Sequence, residues 1–143
     1  MAHEAERKAL ARYLDEHHLK HTKQRDAIVE HFLEATGHVT GEELYEGLRK
    51  QYPSIGFTTV YRTLKLLCEA GIASEQRFDD GITRYEIKHE HHDHLVCLRC
   101  GRIIEFECSM IEAAQDEIAD RYAFRMLRHR HELYGHCSRC RDD

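Results

Sequence analysis

Four cysteines form two C-x-x-C pairs, Cys97/Cys100 and Cys137/Cys140. A two-residue spacer lets both sulfurs of a pair reach one ion at about 2.3 Å. The chain between the pairs is long enough for strands and a helix, so they read as one tetrahedral four-cysteine zinc site stapling the C-terminal part of the chain. The plainer readings are reduced, unliganded cysteines in a core, or disulfides. Paired C-x-x-C spacing in a reducing compartment favours metal over both. Two further cysteines lie outside the pattern: Cys68 reads as a core residue on a helix, and Cys108 has no inferred role.

Just upstream of the first pair runs His91-His92-Asp93-His94. In a strand, side chains two residues apart share a face. His91 and Asp93 therefore point one way, and His92 and His94 the other. One short strand offers half of two different metal sites, where a solvated polar turn is the bland alternative. Imidazole with carboxylate suits Fe2+, Mn2+, Co2+ or Zn2+. The remaining ligands must come from elsewhere, and His38, Glu86, Glu105, Glu112 and His129 are the candidates.

Enzyme chemistry is poorly served. His131-Glu132 lacks the second histidine of an H-E-x-x-H helix. No proline precedes either C-x-x-C, as a zinc deaminase requires. A site closed by four cysteines has no open position for water. A zinc hydrolase and a metal-storage protein are thus the weaker alternatives, and no small-molecule substrate is implied.

The elements that must position these residues follow from periodicity. Residues 4–18 read as a first helix. Thr22 caps a second, running to about Glu34 with Ile28, Val29, Phe32 and Leu33 buried. Thr40 caps a third, with Glu43 completing a capping box and an end near Tyr52-Pro53. A fourth helix begins at Thr58 and stops at Gly71. It buries Val60, Leu64 and Leu67 while Tyr61, Arg62 and Lys65 point elsewhere. Strands at 72–78 and 82–88 flank the turn Asp79-Asp80-Gly81. Helices followed by a hairpin give the order of a winged helix-turn-helix, whose fourth helix enters a DNA major groove. Arginine there contacts guanine or phosphate, and tyrosine contacts thymine methyls.

Beyond residue 88 the pattern changes. His94–Cys97 and Ile103–Phe106 read as short strands. Ser109 caps a helix to about Ala119, with Met110, Ile111, Ala114 and Ile118 facing inward. Residues 123–134 read as a final strand leading into the second cysteine pair. The linker falls at Lys88-His89-Glu90. The expected division is therefore residues 1–88 and 89–143, in an α+β chain.

Composition bounds the rest. The 143 residues carry a formal net charge of −5, with 13 Lys and Arg against 15 Asp and Glu in residues 1–88, and 8 against 11 in 89–143. Neither part is basic, so DNA binding must use a local face. No apolar run is long enough to span a membrane. The charged N-terminus lacks an apolar signal core, which implies a soluble cytoplasmic protein.

Taken together, these residues resemble the ferric uptake regulator (Fur) superfamily of metal-responsive bacterial repressors. The resemblance is carried by Thr59-Val60-Tyr61-Arg62, Arg84-Tyr85-Glu86, the block from His91 to Gly101, Ile104-Glu105-Phe106, and Leu133-Tyr134-Gly135-His136-Cys137 with Cys140. It implies a winged-helix DNA-binding domain followed by a small α/β dimerisation domain holding the four-cysteine zinc. It implies a homodimer, or a pair of dimers, on inverted-repeat double-stranded operator DNA. By position, His38, Glu86, His92, His94 and Glu105 correspond to a regulatory metal site. His91, Asp93, Glu112 and His129 correspond to an additional site. Lys20, Thr58, Thr59, Tyr61 and Arg62 correspond to DNA contacts, with Lys20 reaching a minor groove. Peroxide sensors of the superfamily usually place aspartate where Glu105 stands, so Glu105 and Glu86 favour an Fe2+ sensor over a peroxide sensor, with Mn2+, Co2+ or Zn2+ able to substitute. Peroxide, zinc and manganese sensors of the same superfamily are the alternatives.

Overall fold

A computed structural model describes residues 2–88 and 92–142 of the chain. The chain divides into two compact units, residues 1–89 and 90–143.

The first unit comprises α1 (Glu4–Glu16), α2 (Lys23–Glu34), α3 (Gly41–Arg49), α4 (Phe57–Glu69), β1 (Ala73–Arg77) and β2 (Thr83–Ile87). Both expected caps form: Thr22 Oγ1 accepts the Arg25 N–H at 3.1 Å, and Thr40 Oγ1 accepts the Glu43 N–H at 3.0 Å. The apolar stripes converge, with Leu14, Phe32, Leu44, Leu48, Val60 and Leu64 all buried together. α3 stops at Arg49, earlier than the proline requires. The chain then turns, with the Tyr52 N–H on the Leu48 carbonyl at 2.8 Å. α4 starts at Phe57, one residue before Thr58, with Gly56 as its N-cap. Its end is a Schellman closure. Gly71 takes φ +77°, its N–H reaches the Cys68 carbonyl at 3.1 Å, and the Ile72 N–H reaches the Leu67 carbonyl at 2.9 Å. β1 and β2 pair antiparallel, and Val39 adds a bridge to Tyr85 through bonds of 2.9 and 2.7 Å. That bridge ties the α2–α3 connection to the hairpin.

The second unit comprises β3 (Asp93–Cys97), β4 (Ile103–Phe106), α5 (Ser109–Arg121) and β5 (Glu132–Gly135). Its sheet has the order β4-β3-β5, with β4 antiparallel and β5 parallel to β3. Three expectations are corrected here. Cys108, not Ser109, is the N-cap of α5, because the Cys108 carbonyl accepts the first helical bond, from the Glu112 N–H at 3.1 Å. Met110, Ala114 and Ile118 are exposed and Ile111 is half-buried, since no apolar layer among the described residues covers this helix. The final strand covers only Glu132–Gly135. Residues 123–131 carry Arg125, Arg128, His129, Arg130 and His131 in place of an apolar alternation. Ala123, at φ +51°, closes α5, with the Phe124 N–H on the Ala119 carbonyl at 2.8 Å. No helix among the described residues is long and apolar enough to cross a membrane.

Candidate metal centres and nucleic-acid interface

The cysteine cluster is built by strand ends. Cys97 closes β3, and the turn to β4 is held by the Cys97 N–H on the Arg102 carbonyl and the Gly101 N–H on the Cys97 carbonyl, both at 2.9 Å. Parallel pairing sets Gly135 of β5 beside Cys97, which delivers Cys137 and Cys140 to the same place. The Sγ atoms of Cys97, Cys100, Cys137 and Cys140 all lie within 4.8 Å of one another. Those of Cys100 and Cys137 are 3.7 Å apart. A tetrahedral ion with Zn–S bonds of about 2.3 Å sets sulfur–sulfur edges near 3.8 Å, so the cluster fits zinc. Backbone N–H groups of Cys100 and Cys137 point at Cys97 Sγ from 3.5 and 3.3 Å. They lower the Cys97 thiol to about 5 and make it a ready thiolate. Burial pushes Cys140 the other way, up to about 12, so that sulfur needs a cation to ionise. Cys68 is likewise pushed up by burial, to about 11, as befits an inert packed thiol.

Strand alternation sorts the histidine block as expected. The His92 and His94 rings lie 4.7 Å apart, and His92 Nε2 is 3.2 Å from the Glu105 carboxylate. Glu105 is the cross-strand partner of His94. Asp93 serves the other face and is fully buried. It gathers with Glu112 of α5 and His129 of the segment before β5, their ligand atoms within 4.8 Å. His129 Nε2 is 3.3 Å from Glu112 Oε1. His91, expected at this second site, lies outside the described residues.

In the first unit, His38 Nε2 is 3.2 Å from Glu86 Oε2, and both side chains are only 4% exposed. The Val39–Tyr85 bridge explains the meeting, because each residue of the pair is the neighbour of a bridged one. Phe78 backs the His38 ring, edge-on at 6.1 Å.

On α4, Thr58, Tyr61, Arg62 and Lys65 are exposed and Thr59 is half-buried, while Val60, Thr63 and Leu64 face the core. Lys20 is exposed in the α1–α2 connection, where its carbonyl accepts the Arg25 guanidinium.

Residues 16–134 match the Ferric uptake regulator family. The ferric uptake regulation protein of Escherichia coli K12 is 43% identical over 129 residues, 87% of each chain. The chain belongs to the ferric uptake regulator family. A structure of the Helicobacter pylori regulator Fur, described as having three functional metal-binding sites, superposes with a TM-score of 0.90. It is 30% identical, and the match covers 98% of this chain and 94% of that one. A zinc-bound manganese uptake regulator superposes at 0.74 with 42% identity, over 90% and 98% of the two chains. This Fur-family chain is thus a metal-responsive, DNA-binding transcription regulator, and its family is not one of enzymes.

Several supporting residues of this Fur-family protein escape sequence reading. Glu132 stands in register with His94 across the parallel pair, its carboxylate taking the Tyr134 hydroxyl at 2.6 Å and the Arg130 guanidinium Nε at 3.0 Å. Burial pushes this carboxyl up, but those bonds outweigh it and hold it below the usual range. The alternation Glu132-Leu133-Tyr134 carried that signal, obscured by the overlong strand expected there. Arg84 of β2 reaches back to Asp80 at 2.9 Å and lies 5.5 Å from the Phe78 ring. Only the folded turn reveals that clamp.

Proposed function

We propose that this regulator is a repressor that uses Fe2+ to hold inverted-repeat operator DNA as a homodimer in the cytoplasm. The observation that carries the reading is that each unit holds a short set of imidazole and carboxylate donors. The first unit has His38 with Glu86, and the second has His92 and His94 with Glu105. The first unit's pair is too few to hold such an ion alone, and the second unit's three donors leave coordination positions open that the pair can fill. One cation held by all five side chains would fix the angle between the units. A shape so fixed sets two recognition helices of a dimer at successive major grooves, roughly 34 Å apart. Selecting that shape raises DNA affinity by linkage, and a differential affinity of about 100-fold is an adequate switch.

Roles divide accordingly. Cys97, Cys100, Cys137 and Cys140 hold a structural zinc. Asp93, Glu112 and His129, with His91, form an additional site. Lys20, Thr58, Thr59, Tyr61 and Arg62 meet DNA, and Tyr61 and Arg62 are exposed on α4 as that role needs. The homodimer is supported by apolar surface left open on the second unit. Ile118, Tyr122 and Phe124, which line one apolar hollow beside α5, are 53%, 74% and 69% exposed, a surface that a second copy would cover. A pair of dimers on one operator is compatible with this arrangement.

A manganese sensor is the second reading, since the manganese uptake regulator is 42% identical, level with the 43% of the Escherichia coli ferric regulator. The experiment that tests both is an anaerobic titration of DNA binding by zinc-stapled protein with Fe2+, Mn2+, Zn2+ and Ni2+. The duplex is one selected by the protein from a random-sequence pool. Fe2+ acting within its cellular free concentration, with Zn2+ and Ni2+ needing more free ion than the cell supplies, is the expected result. Mn2+ acting alone replaces the first reading by the second, and no response to any ion removes both.

A further inference from the structure

A half-exposed tyrosine on a reading helix can point usefully only if something holds its ring. Tyr61 has two close neighbours. Phe57, one helical turn earlier on α4, meets it at 4.7 Å with the planes at 66°. Tyr45 of α3 meets Phe57 in turn at 5.4 Å, nearly perpendicular at 84°. These contacts form an aromatic ladder between the two helices of the helix-turn-helix. Tyr61 also lies against Gly41, the first residue of α3. A Cβ placed on Gly41 would stand 2.8 Å from Tyr61 Cζ and 3.1 Å from the phenolic oxygen.

Nothing in the backbone explains this glycine. Gly41 is in α3 and is not among the positive-φ glycines. In such a conformation alanine is the better helix residue. What glycine alone provides is space. A methyl at position 41 would stand closer to the Tyr61 ring than real contacts allow, so the ring must shift to admit it.

We infer that Gly41 is a specificity-determining positioning residue, which sets how the Tyr61 phenol is presented to base edges by leaving room for the ring over the start of α3. The inference rests on the DNA-reading role proposed above for Tyr61. In the major groove, the apolar group that a ring can read is the thymine C5 methyl. Gly41 therefore governs which thymine is felt, without itself contacting DNA.

The test uses the full chain carrying zinc and Fe2+ under anaerobic conditions, on a duplex that the wild type selects from a random-sequence pool. Each thymine is replaced singly by deoxyuridine, which removes only the methyl. For the wild type, one thymine per half-site should show a loss of about fourfold, the size expected of one buried methyl. Tyr61→Ala should abolish that sensitivity. Gly41→Ala should lose it or move it to a neighbouring thymine. Its thermal midpoint should be equal or higher, with the iron dependence and salt slope of binding unchanged. A purely structural role for Gly41 would leave the deoxyuridine profile where it was. Gly41→Ser provides a second variant with the same expectation.

An unchanged profile in both Gly41 variants overturns the inference. Absence of any methyl sensitivity that Tyr61→Ala removes overturns the reading role of Tyr61, and this inference with it. Absence of metal-dependent DNA binding in the wild type rejects the proposed function itself.

Discussion

Cys100 and Cys137 are 37 residues apart in sequence, yet their sulfurs stand 3.7 Å apart, one edge of a tetrahedron sized for zinc. None of the residues of α5 is buried in the single chain, so the second unit has only a small core beside this cluster. In the structural-zinc role proposed above, the free energy of zinc binding is folding free energy. Cys137→Ser should cost several kcal/mol and leave zinc-free, easily unfolded protein. Thermal unfolding followed by circular dichroism, with zinc content measured in parallel, checks this. Wild type stripped by a strong chelator should melt like the variant, and full thermal stability in the variant would remove the staple.

Ala123 adopts φ +51° to close α5, a conformation that glycine takes without a Cβ penalty. Ala123→Gly should therefore stabilise the protein, by ~1 kcal/mol. Urea denaturation reads the change, and it should come without loss of DNA binding, because the residue is exposed and ligates nothing. A destabilised variant would mean that the methyl contributes more by packing than the backbone loses by strain.

The hairpin turn carries a pH signature. Burial pushes the Asp80 carboxyl up, but the Arg84 guanidinium and the Ile82 N–H outweigh burial and hold it below its ordinary value. A carboxyl lower in the folded than in the unfolded chain stabilises above the unfolded pKa, roughly 3.9. That contribution disappears as pH falls through the depressed folded value. Arg84→Met removes the counterweight, so the Asp80 carboxyl should rise. Stability should fall by ~2 kcal/mol at neutral pH, the scale of a hydrogen-bonded charge, and by less at pH 3, below the unfolded value. Carboxyl titration by NMR with denaturation at both pH values measures this, and an equal loss at each would contradict the assignment.

Much of this was legible from residue types and spacing because the constraints were local. The Thr22 and Thr40 caps, the Gly71 closure and the Asp79-Asp80-Gly81 turn are each decided within a few residues. Strand parity likewise separated His92 and His94 from Asp93 before any fold was known. Legibility failed where the partner of an element lies outside its own chain segment. Met110 and Ile118 follow a helical period that reads as a core face, yet they are exposed, because periodicity reports that a face is apolar and not what covers it. The 123–131 segment failed differently. His129 is fixed by Glu112 on another element and not by a strand ladder, and no local pattern encodes that pairing. Gly41 was invisible for the same reason, since its need for space comes from Tyr61 on the next helix.

The central claim, that one exchangeable cation needs donors from both units, is tested most directly by measuring the iron-induced gain in DNA affinity of zinc-loaded wild type, His38→Ala and His94→Ala. Wild type should gain about 100-fold. Each variant, altered in a different unit, should remain a folded zinc protein that gains almost nothing. A full gain in either variant, or stripped wild type holding the duplex as tightly as the iron-loaded form, would contradict the account.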